Sequence, residues 1–178
     1  MRSCLASLKI VEADESTSPI APDFTLKRLD GEMVKLPDLR NRVVVLEFGS
    51  YTSPSFRQRA KGMESLRKSH GRKATFLIIY TREAHPAGEW DVPRNTQENI
   101  SVEQHLDEEG RKKAARAARD ALDIDIPIAC DTMDDATARA YDGFPNGAFV
   151  IARDGTIAAR QKWCDPEALK RHIDAAFG

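Results

Sequence analysis

The run from Val43 to Phe48 is apolar at every position except Glu47, and it narrows what this chain can become more than any other stretch. A strand that is apolar on both alternating faces must be buried on both, so it belongs inside a sheet covered by helices on each side. Directly after it, Phe56, Ala60, Met63 and Leu66 recur at helical spacing. Thr52 and Ser53 are N-cap residue types, and Pro54 suits the first helical position, where its missing N–H leaves no bond unmade. The stretch Ser50 to Phe56, S-Y-T-S-P-S-F, therefore reads as a strand-to-helix turn with Ser53 at the helix N-terminus. Backbone N–H groups and the positive end of the helix dipole converge there and favour an anion, whether a bound ligand or a side-chain thiolate or selenolate.

The helix should end near His70-Gly71, and Ala74 to Tyr80 makes the next strand. A strand, helix, strand order gives a parallel pair, so Ser50 and Thr81 leave the sheet at the same edge. Ligands of open α/β sheets bind at that edge, which brings Glu83 and His85 toward Ser53. Upstream, Phe24–Lys27 and Met33–Leu36 flank Asp30-Gly31 and predict a β-hairpin. Residues 82–100 read as a long polar loop of the kind that forms lids. Asp107 to Leu122 predicts a helix with acids first and bases later, Arg111 among them, and its basic run reads as a solvated face. Ile126–Cys130 predicts a strand and Met133–Tyr141 a short helix. A hairpin about Arg153-Asp154-Gly155 and a final helix capped by Asp165 complete the chain. Residues 1–19 read as a flexible leader, rich in Asp, Glu, Ser, Thr and Pro toward its end, and residues 20–178 as one domain.

Charged residues make up 31% of the 178 and nearly cancel to a net charge of -1, so there is no global attraction for nucleic acid or anionic lipid. Residues 1–11 hold no apolar run long enough for a membrane helix, and no membrane anchor is expected. The three cysteines, Cys4, Cys130 and Cys164, are too few for a disulfide framework, which favours a reducing cytoplasm. Cys130 reads as a small buried side chain. Metal-ligand, P-loop and dinucleotide motifs are absent. Glu47 reads as a charge rescued by a strand-end position or by a basic partner, or else as a carboxylate beneath the turn.

The run F-G-S-Y-T-S-P-S-F, Phe48 to Phe56, resembles the active-site motif of the iodothyronine deiodinases, in which selenocysteine, or cysteine in some relatives, occupies the position of Ser53. Tyr51 stands where many members have a cysteine. I-Y-T-R-E-A-H, Ile79 to His85, with Trp90 beyond, is similar to the strand end that carries the family's catalytic Glu and His. Asp131-Thr132-Met133, Phe144-Pro145 and Phe149-Val150-Ile151 extend the resemblance, while Ala21 to Leu26 resembles the opening of peroxiredoxins and related redoxins. The resemblance implies a thioredoxin-like α/β fold, a mixed sheet flanked by helices with an N-terminal hairpin, and a cis bond at Phe144-Pro145. It also implies that Ser53, Glu83 and His85 are the catalytic positions, with Tyr51, Thr52, Trp90, Phe144 and Pro145 lining the binding site. His85 would serve as proton donor or relay or contact the ligand, with Glu83 orienting it or raising its pKa. His70, His105 and His172 are expected at the surface.

Two readings of the chemistry stand. In one, the chain is an oxidoreductase of this group, dehalogenating an aromatic substrate or reducing a peroxide, with no bound cofactor and with a thiol reductant of glutathione or thioredoxin type. In the other, the cleft binds a small aromatic or thiol ligand without turnover, since a serine hydroxyl is a weak nucleophile. A Ser53-His85-Glu83 hydrolase is a third class, disfavoured because the turn lacks the G-x-S-x-G elbow. Serine is either natural at position 53 or stands for cysteine or selenocysteine in a recoded gene, and the codon separates these. The partners implied are a small molecule and a reductant, with room for a homodimer.

Overall fold

The computed structural model describes residues 19–177, so Cys4 and nearly all of the expected leader lie outside the described residues. The hairpin forms as β1 (Thr25–Arg28) and β2 (Met33–Lys35), followed by a 3-10 turn at Leu36–Leu39. Next come β3 (Val43–Gly49), α1 (Pro54–His70), β4 (Ala74–Tyr80), α2 (Pro93–Gln97), α3 (Glu108–Leu122) and β5 (Ile128–Cys130). The chain closes with α4 (Ala136–Tyr141), β6 (Ala148–Ile151), β7 (Ile157–Gln161) and α5 (Pro166–Ala175). These strands form one sheet in the order β2-β1-β5-β4-β3-β6-β7. β3 and β5 run parallel to β4 and the remaining pairs are antiparallel, which makes the sheet mixed. Among the described residues no helix is long and apolar enough to cross a membrane.

The period of two along β3 divides the core. Val43 and Val45 pack with Phe56, Met63, Leu66, Leu169 and Ile173 on the side of α1 and α5. Val44, Leu46 and Phe48 pack with Leu77, Ile79, Tyr141, Phe149 and Ile151 on the other side. All seven residues of β3 are buried, as an apolar central strand requires. Asp107 caps α3 through Gly110 N–H and Asp165 caps α5 through Glu167 and Ala168 N–H, in agreement with the sequence.

Two expectations change. Residues 82–100 are not simply a loop, because Pro93 opens the single turn of helix α2. Nor is the basic face of α3 wholly solvated: Arg111 is 1% exposed and points into the molecule. It sits in line with Ala114, Ala115 and Ala118, the buried stripe of that helix.

Gly49 ends β3 where the Phe56 ring occupies the space a Cβ would need, so the first turn of α1 closes directly on the strand end. Gly49→Ala should therefore displace Phe56 and cost about 1–3 kcal/mol as an overpacking substitution, measured as a lowered urea midpoint at unchanged m-value.

Candidate functional site

Ser53 is the N-cap of α1, buried, with extended backbone and with its Oγ accepting from Phe56 N–H at 3.5 Å. Its Oγ also lies 3.0 Å from Ser55 Oγ. The turn before it is held at every point. Ser53 N–H donates to Ser50 O at 3.1 Å, and Ser50 Oγ accepts from Ala84 N–H at 3.0 Å. Thr52 donates twice to Glu83 Oε2, from its N–H at 2.9 Å and its hydroxyl at 2.7 Å. Thr52 Oγ1 in turn accepts from His85 N–H at 3.0 Å, which fixes the start of the loop after β4. Tyr51 N–H donates to Tyr80 Oη at 2.9 Å, and that hydroxyl donates to Glu83 Oε1 at 2.5 Å.

Glu83 is 2% exposed. Burial alone pushes its carboxyl up, but hydrogen bonds from His105, Tyr80 and Thr52 more than offset that and hold it below the ordinary carboxylate range. Its stabilising effect is present above the unfolded value of about 4.5 and is lost as pH falls through the lowered folded value. The Tyr80 hydroxyl is pushed well up, by burial first and then by the Glu83 charge, so it stays protonated as a donor.

The histidine on Glu83 is His105, at 3.3 Å, and not His85. His105 was expected at the surface but is 8% exposed. Its Nδ1 accepts from Arg111 Nε at 3.3 Å, so the ring proton lies on Nε2 and is given to Glu83. Arg111 is anchored in turn on Asp131 O at 3.1 Å, Thr132 O at 2.5 Å and Asp135 Oδ1 at 2.9 Å. Sequence reasoning missed His105 and Arg111. The available signals were the place of His105 two residues before the Asp107 cap and that of Arg111 on the apolar stripe of α3.

His85 lies beside the turn through its backbone, and its ring meets Trp90 edge-on at 5.0 Å between centroids. Burial lowers its pKa from 6.5, which favours the neutral imidazole at neutral pH. Its Nδ1 is buried without a partner. Trp90 is exposed. The Phe144-Pro145 bond is cis, and the Arg82 guanidinium lies over the Phe144 ring at 4.5 Å from its centroid. Asn146, next in the chain, donates to Phe48 O at 2.9 Å and so ties the cis-proline loop to the end of β3. No imidazole bonds Ser53 Oγ among the described residues and Glu83 is committed elsewhere, so the hydrolase triad is not assembled.

A strap ties the turn to α2. Arg57 on α1 donates to Tyr51 O at 2.7 Å, to Asn95 Oδ1 at 2.8 Å and to Glu98 Oε2 at 2.9 Å. Asn95 donates back to Thr52 O at 3.0 Å. Helix α2 is thereby held against the turn, and both Tyr51 and Thr52 carbonyls are satisfied. Asn95→Ala strips a partner from Thr52 O and from Arg57. It should cost about 1–3 kcal/mol in denaturant unfolding and speed proteolysis between Ala87 and Asn99.

The sequence model of the iodothyronine deiodinase family matches residues 7–166. A thyroxine 5-deiodinase of Gallus gallus is 31% identical over 137 residues, 75% of this chain and 52% of that protein. One of Sus scrofa is 36% identical over 117 residues, 66% of this chain and 37% of that protein. The chain thus spans about half or less of the length of these relatives. Among solved structures, a putative thiol:disulfide interchange protein DsbE from Chlorobium tepidum superposes with a TM-score of 0.66 at 21% identity, over 90% of this chain and 97% of that one. The thioredoxin domain of a thiol-disulfide oxidoreductase from Bacteroides vulgatus gives 0.62 at 17%, over 88% and 96%. The chain belongs to the iodothyronine deiodinase family and has a thioredoxin-like fold.

Proposed function

We propose that this domain is a thiol-dependent reductive dehalogenase of aromatic substrates, with position 53 as the seat of a chalcogen nucleophile. The observation that carries this is the placement of residue 53 as N-cap of a 17-residue helix, in a turn whose backbone is fixed by Glu83, Tyr80, Arg57 and Asn95. A thiolate or selenolate there meets the positive end of the helix. It takes the halogen as a halonium equivalent while the ring carbon takes a proton, giving the dehalogenated arene and a chalcogen–halogen bond. Two thiols of glutathione or thioredoxin type then restore the nucleophile as its anion, leaving as a disulfide and releasing halide and two protons. His85, with its lowered pKa and rim position, relays the ring proton from solvent. Reduction of a peroxide by the same nucleophile, to an alcohol with a chalcogen–OH intermediate and the same two thiols, is the neighbouring chemistry. Trp90 and the Phe144-Pro145 wall supply flat apolar surface suited to an aromatic ligand.

The serine itself favours the second reading, a module that binds such a ligand without turnover, because neither hydroxyl contact of Ser53 involves a general base. Ser53→Cys separates the two. Its thiol should titrate below a free cysteine, from about 8.5 to about 7.5 or lower, in iodoacetamide labelling against pH. It should also gain dehalogenation or peroxide consumption with a thiol reductant. A thiol that titrates like a free cysteine, with neither activity, leaves the binding module.

A further inference from the structure

Glu47 is the one position where β3 breaks its apolar pattern, and its carboxyl is 1% exposed on the α1 side of the sheet. Its neighbours across the ladder are Ile78 on β4 and Ala148 on β6, neither of which offers a bond from its side chain. Among the described residues no basic side chain lies within 4.0 Å, contrary to the basic partner that the sequence reading allowed for. What faces it is polar and uncharged. Asn146 Nδ2 donates to Glu47 Oε1 at 3.1 Å, and the Cys164 thiol, in the segment before α5, also acts on this carboxyl. The other charged groups acting on Cys164 are Arg59 on α1 and Asp165 at the cap of α5.

The two side chains already joined through Glu47 Oε1 and Asn146 Nδ2 each leave one buried oxygen without a partner, Glu47 Oε2 and Asn146 Oδ1. Two bare acceptors on a joined pair of side chains are a costly arrangement in a dry interior. A single proton on Oε2 resolves both, since an acid O–H can donate to the amide carbonyl while the amide N–H donates to the acid carbonyl. The other Nδ2 hydrogen goes to Phe48 O at 2.9 Å, and Asn146 O accepts from Cys164 N–H at 2.8 Å. Asn146 is thus bound on three sides and directly follows the cis proline.

We infer that Glu47 is a neutral carboxylic acid paired with the Asn146 amide, and that this acid–amide pair positions the cis-proline loop against the end of β3. Glu47 is on this account a positioning residue whose proton state is transmitted to the Phe144-Pro145 wall. Burial supports it by pushing the carboxyl up to about 7, with Asn146 and Cys164 only partly opposing. The folded chain then binds more protons than the unfolded one between about 4.5 and 7, so stability falls as pH rises through that window and is lowest above it.

Glu47→Gln tests this directly, because its amide can donate to Asn146 Oδ1 and accept from Asn146 Nδ2 as the acid does. The wild-type chain should show a protonated-carboxyl stretch in the infrared at pH 6 that is absent in Glu47→Gln. Its unfolding midpoint should fall from pH 6 to pH 8, and that fall should be lost or strongly reduced in Glu47→Gln. The amide resonances of Phe144, Asn146 and Gly147 should shift with the same titration in the wild type and stay fixed in the variant. Should Glu47→Gln fail to fold, carbon NMR of the Glu47 carboxyl in the wild type decides the protonation state alone. A carboxylate signal at pH 6 overturns the inference, and a titration of Glu47 that leaves the loop amides unmoved overturns its positioning role.

Discussion

A single buried carboxylate holds the candidate site together. Glu83 takes bonds from Thr52 N–H, Thr52 Oγ1, Tyr80 Oη and His105 Nε2, and so joins the turn after β3, the end of β4 and the segment leading into α3. A carboxylate taken out of water without such partners would cost several kcal/mol or take up a proton. With them it is held ionised, and it becomes the fixed point to which three separate parts of the chain are referred. Arg111 extends the same logic outward. It holds His105 in one tautomer and is itself held by the loop after β5, so the chain of bonds runs from the turn to α4.

The consequence for chemistry is preorganisation. No backbone group of Tyr51 or Thr52 is left to water, which means that residue 53 meets a ligand from a turn with little freedom to lose. The serine there is an adequate helix cap and an inadequate redox group. On the function proposed above, the helix N-terminus at that position suits a softer and more acidic nucleophile. The strap made by Arg57, Asn95 and Glu98 ties helix α2 to the first turn of α1.

Much of this was legible in the sequence because the signals were local. β4 occupies the residues its apolar run predicts, and α1 begins at the proline that marks it and ends before Gly71. The cis bond at Pro145 falls where the resemblance implies, and the parallel pair of strands brings Glu83 and the His85 backbone to the turn, where both bond Thr52. What escaped were contacts made across long separations by residues of ordinary type. His105 lies in a polar stretch without periodicity, so nothing local distinguishes it from a surface histidine, and its burial follows only once Glu83 needs a fourth donor. Arg111 sits in a basic run in which charge pattern alone suggests a solvated face. Helix α2 is a single turn of five residues, too short for an apolar period. Glu47 stood out as a charge in a buried strand, but its hydrogen-bond partner, Asn146, is 99 residues away.

The claim that Glu83 organises the site is tested most directly by amide hydrogen exchange resolved by residue, on the wild-type chain and on Glu83→Gln. If the carboxylate is the common anchor, the amides of Tyr51, Thr52 and His85 exchange slowly in the wild type and accelerate together in the variant, while strand amides such as Val45 keep their protection. If Thr52 exchanges in the wild type as fast as an exposed loop amide, or if those three amides respond independently to the loss of the charge, Glu83 is not the anchor.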